Sequence, residues 1–186
     1  MGSDGRRPES TAGADPSAGV AAQVTVRVAR PEEYRRAGEL VFEAYDADGH
    51  VAADPDPEFG AELRDAATRA EHGDLLVAEG PGGRLLGTVT VVLPGSPLAE
   101  VAQPGEAELR MLATDRAARG RGVGTALLEA AIARARAANA RRIVLSTLPT
   151  MTAAHRMYAR RGFVRAPHRD WEPAPDYPLL VFELEL

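Results

Sequence analysis

The chain has 186 residues, 45% of them hydrophobic, with a formal net charge of −5. That length supports one domain with a substantial core and is short for two. The acidic balance argues against a general nucleic-acid binder, and no apolar run of about 18 residues is present to cross a bilayer. The chain has no cysteine, which excludes disulfides, zinc–thiolate sites and cysteine nucleophiles. All 22 basic residues are arginine, which excludes a lysine-type P-loop and a Schiff-base lysine. The four histidines, His50, His72, His155 and His168, lack metal-ligand spacing, so no metal is expected.

Residues 1–22 are Gly, Ser, Ala, Pro and charge, and no apolar stretch follows Arg6 and Arg7. A disordered tail is expected there, not a signal peptide, with a single ordered domain over 23–186. Val24–Val28 alternates as a strand. Pro31, at a helix start, opens a helix whose apolar face is Tyr34, Ala37, Leu40, Val41 and Ala44. Residues 46–57 read as a loop of Asp, Gly and Pro, and Phe59 to His72 as a second helix. Leu75–Glu79 and Arg84–Leu93 flank Gly80-Pro81-Gly82-Gly83, a hairpin signal. After a proline-bearing loop, 106–114 alternates as a strand, 122–138 is helical, and 142–147 is a nearly all-apolar strand. Residues 152–161 form a short helix closed by Gly162, and strands start at Phe163 and Leu179. The pattern predicts an α/β fold: a mixed sheet, parallel around the glycine turn, with about four helices.

That turn, Arg119-Gly120-Arg121-Gly122-Val123-Gly124, stands between a strand and a helix start. Free N–H groups and the positive end of the helix dipole converge there, and glycines let an anion approach. It reads as a pyrophosphate-binding turn. The spacing is not G-x-G-x-x-G, because Gly124 comes one residue early, and no lysine is present for a Walker loop. What fits is R-x-x-G-x-G, through Arg119, Gly122 and Gly124.

This segment resembles the acyl-coenzyme A signature of the GNAT superfamily of N-acetyltransferases. Ala154-His155-Arg156-Met157-Tyr158-Ala159-Arg160-Arg161-Gly162-Phe163 resembles that family's second signature, A-x-x-L-Y-x-x-x-G-F, and the order of elements matches from about Val24 to Leu186. The resemblance implies a twisted sheet that splays between its fourth strand (106–114) and fifth strand (142–147). The pantetheine arm of acetyl-coenzyme A would enter the gap and bond backbone groups near Leu112, Ala113 and Thr114. The pyrophosphate would rest on the amides of Arg119, Gly120, Arg121, Gly122, Val123, Gly124 and Thr125, with Arg119 and Arg121 adding charge-assisted contacts.

Acetylating an amine requires that a proton be removed from it. By the resemblance, Glu108 is the candidate base, with Glu106 on the same strand face and an ordered-water route as alternatives. Tyr158 matches the tyrosine that meets the coenzyme sulfur. A phenol near pKa 10 is a weaker acid than a thiol near 8.5, so a hydrogen bond to the developing thiolate is the safer expectation. Met151 stands where the family often has Asn, Thr152 reads as a helix N-cap, and His155 as surface packing. Residues 43–62 hold seven acids and no arginine, which would draw a cationic amine or simply be solvated. Tyr45, Trp171 and Tyr177 either line the acceptor pocket or fill the core. The expected activity is transfer from acetyl-coenzyme A to a small-molecule primary amine, by direct ternary-complex attack in the cytoplasm, by a monomer or homodimer. A protein N-acetyltransferase and a non-catalytic acyl-coenzyme A sensor are the alternatives.

Overall fold

The computed structural model describes residues 24–186, and the tail expected over 1–22 lies outside them. Seven strands, β1 (Thr25–Val28), β2 (Asp74–Glu79), β3 (Leu85–Val92), β4 (Glu106–Thr114), β5 (Arg142–Thr147), β6 (Val164–Arg165) and β7 (Leu180–Glu185), form one sheet. Their order is β1-β2-β3-β4-β5-β7-β6, and only β4–β5 pairs in parallel.

The described residues hold six α-helices where about four are expected: α1 (Tyr34–Ala47), α2 (His50–Ala53), α3 (Phe59–Arg64), α4 (Ala66–His72), α5 (Val123–Ala137) and α6 (Thr152–Arg160). The second predicted helix breaks at Asp65, whose ψ of 68° leaves the helical region and whose carboxylate caps α4 through the Thr68 amide. A short polar side chain that competes for backbone donors ends one helix and starts the next. The other added helix, α2, lies inside the acidic loop.

Helices cover both faces of the sheet. On β2, Leu76 and Ala78 join the cluster under α5 (Leu127, Leu128, Ala131), while Leu75 and Val77 join the cluster under α1 and α3 (Leu40, Val41, Leu63). A strand buried on both faces must read as a continuous apolar run, as this one does. Gly87 on β3 brings α5 down onto the sheet: a Cβ there would lie 2.8 Å from Leu127 Cδ1.

The splay is present. β4 pairs with β5 only through Glu106↔Arg142, Ala107↔Ile143 and Glu108↔Val144, whereas β5 stays paired with β7 through Thr147. On its other side β4 carries a bulge: Thr88 faces Ala113 but Thr90 faces Arg110, so two steps on β3 match three on β4. Met111 sits in the bulge at φ 52°. An extra residue bends and twists its strand, and here it turns β4 aside where its partnership with β5 ends.

Candidate active site

The β4–α5 turn brings together all the residues from Arg119 to Thr125. Gly120 and Gly122 have φ of 76° and 82°, which a Cβ disfavours. Gly122 is the N-cap of α5, and no side chain caps that end, so the first-turn amides lack intrahelical partners. A Cβ on Gly124 would lie 3.3 Å from Met157 Sδ and 3.5 Å from Thr114 Cγ2. An uncapped helix end over glycines, beside the unpaired edge of β4 at Leu112–Thr114, fits an extended arm carrying a pyrophosphate. One expectation changes. Arg119 does not stand free over the turn, because its guanidinium makes a two-pronged pair with Asp48 at 2.9 Å for each bond. Among the described residues Arg121 has no ion-pair partner, leaving it and the backbone amides for an anion.

Tyr158 is positioned by backbone geometry that the second signature encodes. Gly162 adopts φ 86°, the Gly162 amide donates to Ala159 O at 3.1 Å, and the Phe163 amide donates to Tyr158 O at 3.1 Å. These are the two bonds of a Schellman closure, in which the residue after the glycine packs on the residue five earlier. The Phe163 and Tyr158 rings accordingly lie 5.7 Å apart, with Phe182 at 6.1 Å on Tyr158. Burial pushes the phenol well above its ordinary pKa, and Tyr45 adds to the rise. Gly162→Ala is expected to cost about 1–2 kcal/mol, since an L-residue is penalised at positive φ, and chemical denaturation measures it.

Between the splayed strands lies a cavity of about 410 Å³. Leu109, Arg110 and Met111 of β4 form one wall, and Ser146 and Thr147 of β5 with Leu148 form the opposite one. Tyr45, Phe59, Trp171 and Tyr177 supply aromatic surface, and Asp54, Asp56, Glu62 and Glu100 supply carboxylates against the single cation of Arg110. Tyr45, Trp171 and Tyr177 all line the cavity, and Tyr45 also packs against the core cluster under α1. The acidic stretch also contributes directly, since Asp54, Asp56 and Glu62 belong to it. Glu100 lines the cavity without any signal in the sequence, because an acid inside a proline-bearing loop has no periodicity to mark it. Burial, with Asp54 beside it, raises the Tyr177 phenol, and burial pushes the Tyr45 phenol up to about 12.

The β4 acids sit differently from a cavity-facing base. Glu106 is 1% exposed and saturated: it accepts from the Gln103 amide at 3.0 Å and from Arg169 at 2.7 Å and 3.3 Å, with Arg142 at 3.4 Å. Burial works against its charged form, but Arg169, the Gln103 amide and Arg142 outweigh it and hold the pKa below its ordinary value. Glu108 is 0% exposed. Its Oε2 accepts from three consecutive amides, Glu100 at 3.0 Å and Val101 and Ala102 at 2.9 Å. Its Oε1 is buried without a partner, and it is not among the residues that line the cavity.

Met151 lines the cavity, and its Sδ accepts from Thr147 Oγ1 at 3.3 Å. The N-cap of α6 is Met151 and not Thr152, with no side-chain cap bond. His155 is half-buried: Nε2 lies 3.1 Å from Leu148 O and its ring 5.1 Å from Phe182. Burial, despite the Leu148 bond, lowers its pKa.

The model of the acetyltransferase (GNAT) family matches residues 33–163. The chain belongs to this family and is an N-acetyltransferase. Solved structures agree. A Corynebacterium glutamicum protein named histone acetyltransferase HPA2 and related acetyltransferase is 28% identical, with 87% of this chain and 95% of that one covered and a TM-score of 0.66. A GCN5-related N-acetyltransferase from Kribbella flavida is 25% identical over 89% of this chain and 99% of the other, TM-score 0.65. A Staphylococcus aureus Mu50 acetyltransferase shares the fold at 16% identity, covering 88% and 99%, TM-score 0.69. No curated protein matches the chain significantly in sequence. Among the described residues no helix is long and apolar enough to cross a membrane.

Proposed function

We propose that this enzyme transfers the acetyl group of acetyl-coenzyme A to the primary amine of a small molecule, by direct attack in a ternary complex. The observation that carries the reading is the cavity. It opens where β4 and β5 part and presents four carboxylates and four aromatic rings against one arginine. A cationic amine on an apolar body gains there from charge and from ring faces alike. A cavity of this size suits a small acceptor better than a folded protein surface. Acetyl-coenzyme A bound beside it supplies an activated thioester.

The chain's own groups then have distinct tasks. The amides of Gly122–Thr125, with Arg121, hold the pyrophosphate, and the β4 edge at Leu112, Ala113 and Thr114 orients the pantetheine arm. Tyr158, kept neutral across the working pH range by burial, donates a hydrogen bond to the sulfur as charge develops on it. No cysteine exists to carry the acetyl group, which favours direct transfer.

The test is thiol release across a panel of primary amines and amino-terminal peptides. Turnover confined to peptides, or acetyl-coenzyme A binding with no release on any acceptor, would overturn the reading. Tyr158→Phe is expected to lower kcat about 100-fold, the scale of a lost oxyanion-type donor, with coenzyme A affinity kept. Unchanged kcat would remove the role given to the hydroxyl.

A further inference from the structure

We propose that Glu100, on the loop between β3 and β4, takes the proton from the acceptor ammonium, and that Glu108 acts only by holding that loop in place. The inference rests on the amine-acceptor reading above and deepens it.

The geometry separates the two acids. Glu108 gives one oxygen to three successive backbone amides of residues 100–102. A buried carboxylate so used is a clamp: it satisfies donors that a tight loop would otherwise leave bare. The clamped segment begins with Glu100, which lines the cavity. Arg110 fixes Glu100 from the same strand, donating to Oε1 at 2.6 Å while its other nitrogen holds Leu98 O at 3.0 Å. Among the described residues the second oxygen of Glu100 has no hydrogen-bond donor, so its lone pairs are free to accept a proton.

The other cavity acids are less suited. Asp54 and Asp56 each spend an oxygen on a local backbone amide, at 2.9 Å in both cases. Glu62 projects from α3 with its side chain 49% exposed, against 35% for Glu100. Arg110 on β4 reaches both Glu100, at 2.6 Å, and Glu62, at 3.1 Å, but only the backbone of Glu100 is also clamped to that strand, by Glu108.

The charges that act on Glu100 are Arg110 and Glu108 on β4 and Glu62 on α3; Asp54, Asp56, Tyr45 and Tyr177 share its cavity, Arg69 on α4 lies beyond Tyr45, and Arg169 holds the neighbouring Val101 O. Burial raises the Glu100 pKa, Arg110 opposes the rise, and Glu108 and Glu62 add to it. A base raised above the ordinary carboxylate value is better matched to an ammonium than a free carboxylate is.

The proton account balances. The ammonium nitrogen loses two protons in becoming an amide. The first passes to Glu100 and on to bulk water. The lone pair then forms the C–N bond as the C–S bond breaks, and the second proton ends on the departing thiolate.

Two readouts test this, with 2-phenylethylamine and putrescine as probes: kcat/KM against pH, and quenching of Trp171, the only tryptophan and a cavity residue. Wild-type kcat/KM is expected to fall as pH drops through the Glu100 pKa. Glu100→Gln should lower kcat/KM about 100-fold and abolish that acid limb, with coenzyme A affinity unchanged. Its melting temperature at neutral pH should be no lower, because a carboxylate crowded by Glu62 and Glu108 is neutralised. Glu108→Gln keeps an acceptor oxygen for the clamp, so it should keep the acid limb and lose no more than about tenfold in kcat/KM. The acid limb vanishing in Glu108→Gln but surviving in Glu100→Gln would overturn the assignment. So would a Glu100→Gln variant that merely weakens Trp171 quenching and leaves the limb in place. Wild-type enzyme that binds coenzyme A but neither binds nor acetylates either probe would overturn the amine reading itself.

Discussion

Gly124→Asp is expected to abolish coenzyme A binding while leaving the fold as stable as before. Gly124 is the second residue of α5, and its α-carbon faces Met157, Thr114 and Leu112. At that position an aspartate helps the helix, since it meets the dipole's positive end and replaces a glycine of poor propensity. The same charge occupies the ground on which a pyrophosphate would rest. The Cβ alone must displace Met157 Sδ at 3.3 Å, a flexible neighbour, so Gly124→Ala should cost far less. The expected loss for aspartate is at least 100-fold in Kd, about 2.7 kcal/mol. Calorimetric titration with coenzyme A and thermal unfolding of the same samples check both halves. Wild-type affinity in Gly124→Asp would mean that the pyrophosphate binds elsewhere.

The second large effect is on stability. Arg169, whose side chain is 8% exposed, meets Glu106, whose side chain is 0% exposed. It also reaches Glu183 at 3.2 Å and Val101 O at 2.7 Å. One guanidinium thus fastens the start of β4, the strand β7 and the loop that carries Glu100. Removing one partner of a buried pair leaves the other charge unpaired in a poorly solvated place, which costs about 3–5 kcal/mol. Arg142 at 3.4 Å and Arg141 at 3.6 Å from Glu106 soften the loss, so Arg169→Ala should fall near the lower end, about 3 kcal/mol. The pH dependence has a definite sign. Because the folded Glu106 pKa lies below its ordinary value, the stability it confers is present above the unfolded pKa. It disappears as pH falls through the folded one. Urea unfolding against pH should therefore show a shallower acid loss in Arg169→Ala than in wild type. Parallel curves would mean that Arg169 does not set the Glu106 titration.

Each part of the fold legible in the sequence had a local cause. Alternation set β1 and β4, apolar runs set β2 and β5, and the glycine pattern set the turn before α5. Gly162 set the closure that presents Phe163 to Tyr158, so the second signature is a piece of backbone geometry as much as a mark of chemistry. The split of the predicted second helix at Asp65 was less legible, because a mid-helix aspartate and a capping one look alike until the Thr68 amide is in place.

The amino-acid sequence by itself determined the family, the glycine-rich strand–turn–helix and the helix closure that sets Tyr158 against Phe163, because each is encoded within a few consecutive residues. Only the tertiary structure decided which partners Glu106, Glu108 and Arg119 meet. Both glutamates alternate along one strand, yet one meets a guanidinium 63 residues away and the other a loop that folds back over it. Arg119 finds Asp48 across 71 residues. A side chain's role depends on which partner reaches it first, and those partners are brought by packing, not by spacing.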